Sequence, residues 1–372
     1  MPDSGTKREM RGLLLHFGAN LWYETWKRPG KPRSAQVATD YLQLDEGLWR
    51  ETTDRMAAKG LNTVVIDLAE AVIYPSHPEL AVKGSWTVDR FRAELERLRK
   101  IGLTPYPKLN FSAAHDTWLK DYGRMLSTPT YYKVCRDLIR DVAEIFDRPE
   151  FLHIGMDEEL PMYQLPDVYE MCIVRRGELW WHDFLYLVKE CEAAGMRAWA
   201  WSDYAWWHPR TFVTRCPKSV LLSDWCYCTN FDLAHEVADG RWAIRNFIDF
   251  DNAGFEQVPT GSNYNPTVTK GFGPLVDFCD AHIAPERLRG YLQTPWAVMI
   301  PKYRDRVLAS VDIAAAKFSE RGELPSAAQR RYSAEENRKL VLPDDADEQI
   351  AARKAKNPNY FAPWSSKAWN GK

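Results

Sequence analysis

Thr63-Val64-Val65-Ile66-Asp67 is an unbroken apolar run that ends on a carboxylate. A strand that alternates apolar and polar residues has one wet face, whereas a run like this one needs cover on both faces. Parallel sheets wrapped by helices provide that cover. The flanks agree. Residues 46–59 read as a helix closed by Gly60, a suitable residue just past a helix end. Residues 88–101 place Phe91, Leu95, Leu98 and Ile101 on one face, with Gly102 behind them. The next run, 104–109, reads as a strand despite its prolines.

The same alternation runs along the chain. Strands are expected at 13–17, 151–155, 197–201, 220–224, 242–248 and 288–294. Helices are expected at 131–146, 178–194, 233–238, 275–282 and 303–318, with a short one before 220. Eight strand–helix units in series, without a glycine-rich phosphate turn after the first strand, predict an α/β fold: a single (β/α)8 TIM barrel. The barrel is assigned to residues 1–320. The charged, proline-bearing tail 321–372 is expected to wrap the outside or to be partly disordered.

Composition narrows the function. The 372 residues include 49 basic and 51 acidic ones, for a net charge of -2, with no basic block to track a nucleic-acid backbone. No apolar run is long enough to span a membrane. The seven cysteines are odd in number and scattered, as buried thiols of a reducing compartment would be. Together with the polar, leaderless start this favours the cytoplasm, although a trimmed secreted chain would begin the same way. Cys226-Tyr-Cys228 is too close and too isolated a pair for a zinc site. The outlier is tryptophan, at 16 residues. Trp22, Trp118, Trp201, Trp206, Trp207, Trp225 and Trp296 fall just after expected strands, where barrels place binding loops. Aromatic faces suit the C–H faces of sugars.

The fourth strand ends in His153-Ile-Gly155-Met-Asp157-Glu158. Neighbouring side chains on a strand point to opposite sides, so adjacent acids serve one pocket only where the backbone turns outward, and Gly155 permits that turn. The bland alternative has Asp157 capping a helix and Glu158 solvated. The glycine, the strand end and the histidine favour the catalytic reading.

These residues resemble the signature of glycoside hydrolase family 20, the β-N-acetylhexosaminidases: His (or Asn)-x-Gly-x-Asp-Glu at the end of strand four. Other segments follow in the family's order. Arg11-Gly12 is similar to its sugar-binding arginine region, and Tyr74-Pro-Ser-His-Pro-Glu79 to the segment after strand two. Asp67 and His115 stand where the family has an Asp and a His. Trp201, Trp225 and Trp296 are similar to pocket tryptophans, and Asn246-Phe247-Ile-Asp249 to a Trp-Tyr-Leu-Asp segment.

The resemblance implies substrate-assisted cleavage without metal or cofactor. Glu158 would be general acid and base, helped to stay protonated by its neighbouring carboxylate. Asp157 would orient a 2-acetamido group that attacks the anomeric carbon. Asp67 and His115 would form a dyad behind Glu158. Arg11 and Asp249 would hold sugar hydroxyls, against a competing reading of Arg11 as a surface residue. The family's acetamide-binding tyrosine would be Phe247, which leaves Tyr227 as the candidate replacement. Two other readings compete: a barrel glycosidase for non-acetylated sugars with Asp203, Asp224 or Asp249 as nucleophile or base, and a sugar-binding barrel without turnover. A carbohydrate is the expected partner in each.

Overall fold

The computed structural model describes residues 9–23, 35–159, 173–233, 243–321 and 332–356. The strands are β1 (Met10–His16), β2 (Thr63–Asp67), β3 (Thr104–Lys108), β4 (Phe151–His153), β5 (Arg197–Trp201), β6 (Leu221–Ser223), β7 (Thr260–Ser262) and β8 (Gly290–Thr294). All pair in parallel, in the order β6-β5-β4-β3-β2-β1-β8-β7. The two ends of that order meet. Leu222 bridges Gln257 and Trp225 bridges Thr260, and Val258 N–H donates to the Leu222 carbonyl at 2.8 Å. The sheet is therefore a barrel.

The helices between the strands are α1 (Glu46–Ala58), α2 (Val88–Lys100), α3 (Pro129–Ile145), α4 (Glu178–Ala193), α5 (Pro209–Arg215), α6 (Arg245–Ala253), α7 (Phe272–His282) and α8 (Arg304–Arg321). Strand alternation divides the core in two. Leu13, Leu15, Val64 and Ile66 face outward onto Phe91, Leu95 and Leu98 of α2 and their neighbours. Met10, Leu14, Val65, Tyr106, Phe151, Trp199, Leu221 and Leu292 fill the interior. Every residue of β2 is buried, which is what its unbroken apolar run requires.

One expected strand is misplaced. Residues 245–253 form α6, and the seventh strand lies later, at Thr260–Ser262. Ile244 and Ile248, and Phe247 and Phe250, share helical spacing as well as β character, and their burial is reached as a helix that Gly254 ends at a φ of 85°. The helix expected at 233–238 lies outside the described residues beyond Leu233.

The described part of the tail packs on the barrel's outer shell as α9 (Ala334–Lys339) and α10 (Ala346–Lys356). Asp347 accepts the Arg210 and Thr211 N–H groups at 2.8 and 3.1 Å, satisfying the first turn of α5. Tyr332 donates to Asp251 at 2.9 Å. No described helix is long and apolar enough to cross a membrane.

Candidate active site

Beyond β4 the backbone takes positive φ three times, at Gly155 (71°), Met156 (69°) and Glu158 (49°). This path turns both acids toward the same side. Gly155 is required twice over: by its left-handed conformation and by space, since a Cβ there would lie 2.0 Å from Asn110 Oδ1. Gly155→Ala is expected to cost at least ~1–3 kcal/mol in backbone strain, plus the displacement of Asn110. A denaturant midpoint matching the unsubstituted protein would show that the turn is not constrained in this way.

Asn110, just after β3, donates from Nδ2 to Asp157 Oδ1 at 3.0 Å, and the Ser112 hydroxyl donates to the Asp157 carbonyl. His115, from the same loop, bridges the pair. Its Nε2 lies 3.3 Å from Asp157 Oδ2 and 3.2 Å from Glu158 Oε2. Side-chain exposure rises from 5% at His115 to 10% at Asp157 and 16% at Glu158, so Glu158 is the outermost of the three. Arg175, fully buried, braces the loop that follows the acid pair. It donates to Glu159 and to the Phe111 carbonyl, both at 2.5 Å, and to Asp183 at 3.1 Å.

The charges follow from this packing. Burial alone would lower the His115 pKa, but the carboxylates of Asp157 and Glu158 outweigh it and push it up to about 10. Burial opposes ionisation of Asp157, yet the His115 cation, Lys108 and the Asn110 amide hold its carboxyl below the usual range. The donor atoms of His115, Asp157 and Glu158 converge within 4.8 Å, a spacing that suits a metal ion. His115 Nε2 stands within reach of both carboxylates, so the three side chains form a bridged triad.

Around the triad stand aromatic side chains from other strand ends. His16 packs on Trp22 (5.2 Å between centroids) and Trp296 (5.6 Å), and Trp22 reaches His115 (6.3 Å). Trp296 donates from Nε1 to the Tyr227 hydroxyl at 2.7 Å, and Tyr227 stacks on Trp225 at 4.9 Å. Trp201 lies deeper, between His153 (4.6 Å) and Trp296 (5.8 Å). His115, Asp157, Glu158, Trp201, Trp225, Tyr227 and Trp296 thus gather at the C-terminal ends of the strands.

Three expected residues stand elsewhere. Arg11 lies near the N-terminal end of β1, on the outward-facing parity shared by Leu13 and Leu15. Its Nε donates to Glu9 at 3.0 Å, and its guanidinium covers Phe318 of α8. It is on the wrong end and the wrong face of the strand to hold a sugar. Asp249 sits in α6, 3.4 Å from Arg245, and not after a strand. Phe247 of the same helix packs in the outer core and not among the aromatic residues around the triad. Asp67 does sit at the end of β2, but it meets Lys108 at 2.5 Å and His16 at 3.4 Å, while His115 faces the acid pair. The Asp67–His115 dyad is not formed.

Sequence reasoning passed over Asn110, Arg175 and Tyr264. Tyr264 follows the actual β7 and packs 5.7 Å from Tyr227. It could have been found only with β7 correctly placed. Asn110 carries a signal, since it directly follows an expected strand.

No protein-family model and no curated protein matches the chain. Solved structures do. The chitobiase of Flavobacterium johnsoniae matches with a TM-score of 0.56 at 17% identity, over 91% of this chain and 53% of that one. The β-N-acetylhexosaminidase of Bacteroides fragilis matches with a TM-score of 0.55 at 11% identity, over 96% of this chain and 71% of that one. Dispersin B matches with a TM-score of 0.52 at 13% identity, over 83% of this chain and 99% of its own. The chain therefore spans about half the length of the chitobiase. At these identities the likeness shows a shared fold, a (β/α)8 barrel.

Proposed function

We propose that this chain is a glycoside hydrolase of family 20, a β-N-acetylhexosaminidase-like enzyme that removes terminal sugars by substrate-assisted, retaining cleavage. The observation that carries the reading is the triad: adjacent Asp157 and Glu158 bridged by one histidine at the end of β4, beside an aromatic wall. The barrel likeness to enzymes named as chitobiase and β-N-acetylhexosaminidase supports the same class.

Glu158, the outermost carboxyl, protonates the leaving oxygen and then activates water for the second step. His115 Nε2 lies 3.2 Å from it and offers a nearby proton store. Asp157, ionised and fixed by Asn110, accepts from the acetamido N–H and steadies the positive charge that develops as the acetamide oxygen attacks. Trp296, Tyr227 and Trp225 pack the sugar ring. Tyr227 or Tyr264 supplies the hydroxyl to the acetamide.

The test is a panel of chromogenic glycosides. We expect turnover of N-acetyl-β-hexosaminides at rates exceeding those of the matching hexosides by ~100-fold or more, the worth of a lost internal nucleophile. Faster cleavage of the plain hexosides would replace this reading with a barrel glycosidase that uses a protein nucleophile. No cleavage of any glycoside, with retained sugar binding, would leave a binding protein.

A further inference from the structure

We propose that Asp203, at the end of β5, is a positioning residue for Glu158 that works as an uncharged carboxylic acid. The proposal rests on Glu158 as the acid/base residue. Asp203 Oδ2 accepts the backbone N–H of Glu158 at 3.0 Å. That amide belongs to a non-glycine residue at a φ of 49°, a conformation that persists only where the surroundings enforce it. The direction of the Glu158 side chain is fixed by its own backbone, so this bond from a neighbouring strand helps set where the acid points.

The state of Asp203 follows from its setting. It is 9% exposed, and its Oδ1 is buried with no hydrogen-bond partner among the described residues. Its close ionisable neighbours are the carboxyls of Asp157 and Glu158. A bare charge in such a place is costly, and the group neutralises instead. Burial first, and the Asp157 charge next, push its carboxyl well above the usual range. A protonated carboxyl offers one donor beside its acceptor. Oδ2 accepts from the Glu158 amide, and the buried Oδ1 is left to carry the proton. A neutral Asp203 also leaves Asp157 as the anion that faces the acetamide, and it is unsuited to the nucleophile role open to an ionised acid.

Asparagine reproduces a neutral carboxyl closely: its carbonyl accepts the Glu158 amide and its NH2 replaces the O–H donor. Asp203→Asn should lower kcat by only about threefold, whereas Asp203→Ala should lower it about 10- to 100-fold with a smaller change in KM. Asp203→Ala should also shift the limb of the pH–rate profile that reports Glu158, and Asp203→Asn should restore it. Loss of activity to background in Asp203→Asn would overturn the proposal in favour of a charged role, as would unsubstituted behaviour in both variants. Should the alanine variant fail to fold, the asparagine variant still decides. An infrared difference spectrum, unsubstituted protein minus Asp203→Asn at neutral pH, needs no turnover. It should contain the C=O band of a protonated carboxyl, and a carboxylate band instead would refute the neutral acid. If the protein cleaves no glycoside, the hydrolase reading fails while the infrared result still decides the state of Asp203.

Discussion

Replacing Glu158 by Gln is expected to abolish most turnover while leaving the fold unchanged. Glutamine has nearly the volume of glutamate, its backbone N–H can still donate to Asp203, and Asp157 keeps both Asn110 and His115. What disappears is the group that gives a proton to the leaving oxygen. General acid catalysis contributes ~10²–10⁴-fold, and the loss should fall in that range for alkyl glycosides, whose leaving groups depart badly without protonation. Aryl glycosides with acidic phenols need less help and should lose less in the first step. The dependence on leaving group is therefore the diagnostic measurement, with thermal denaturation as the control for folding. Unsubstituted turnover on an alkyl glycoside would remove Glu158 from the mechanism.

Much of the site's position was legible because barrel strands at the core are locally explicit. β2 and β5 fall at the expected residues: β2 is a β-branched run ending on Asp67, and β5 alternates alanine with Trp199 and Trp201 over a stretch too short for a helix. The acid pair was legible because Gly155 marks a turn that adjacent acids need to share a pocket. β7 was not, because Thr260-Gly-Ser262 has almost no apolar content; its ladder is supplied by β8, in register Thr260 to Leu292. That one displacement misassigned Asp249 and Phe247 and hid Tyr264. Arg11 was misread for another reason. Counting back from the inward-facing Leu14 puts residue 11 on the outer face, and its place at the strand's beginning puts it at the far end of the barrel. Asp67 lies level with Lys108 in the β2–β3 register, so its ion pair depends on strand pairing and not on local sequence. Arg175 follows a segment without regular periodicity, and only tertiary packing reveals its bonds to Glu159, Asp183 and the Phe111 carbonyl.

Asp157→Asn should separate the acetamide mechanism from its rivals. An amide in place of this carboxylate keeps the shape but removes the anion that steadies a developing positive charge, at a cost of ~10²–10³-fold in kcat. A thiazoline, which mimics the cyclised intermediate, should bind the unsubstituted protein far more tightly than substrate does, and the variant should lose much of that advantage. The histidine offers a second readout. In the unsubstituted protein burial works against the His115 cation, but the two carboxylates hold it protonated up to about pH 10. Removing the Asp157 charge takes away the largest opposing contribution, so the imidazole should titrate at lower pH, visible by NMR. Stability should follow with a definite sign. The His115 pKa is raised on folding, so its pairing contributes fully below about pH 6.5 and is lost as the pH climbs toward 10. The Asp157 pKa is lowered, so the same pairing is present above ~pH 4 and fades below it. The destabilisation caused by Asp157→Asn should therefore be greatest between about pH 4 and 6.5 and shrink on either side. Equal thiazoline affinity in the two proteins would mean that Asp157 does not meet the acetamide. An unmoved imidazole titration would mean that the bridge between the acids is not what holds the proton.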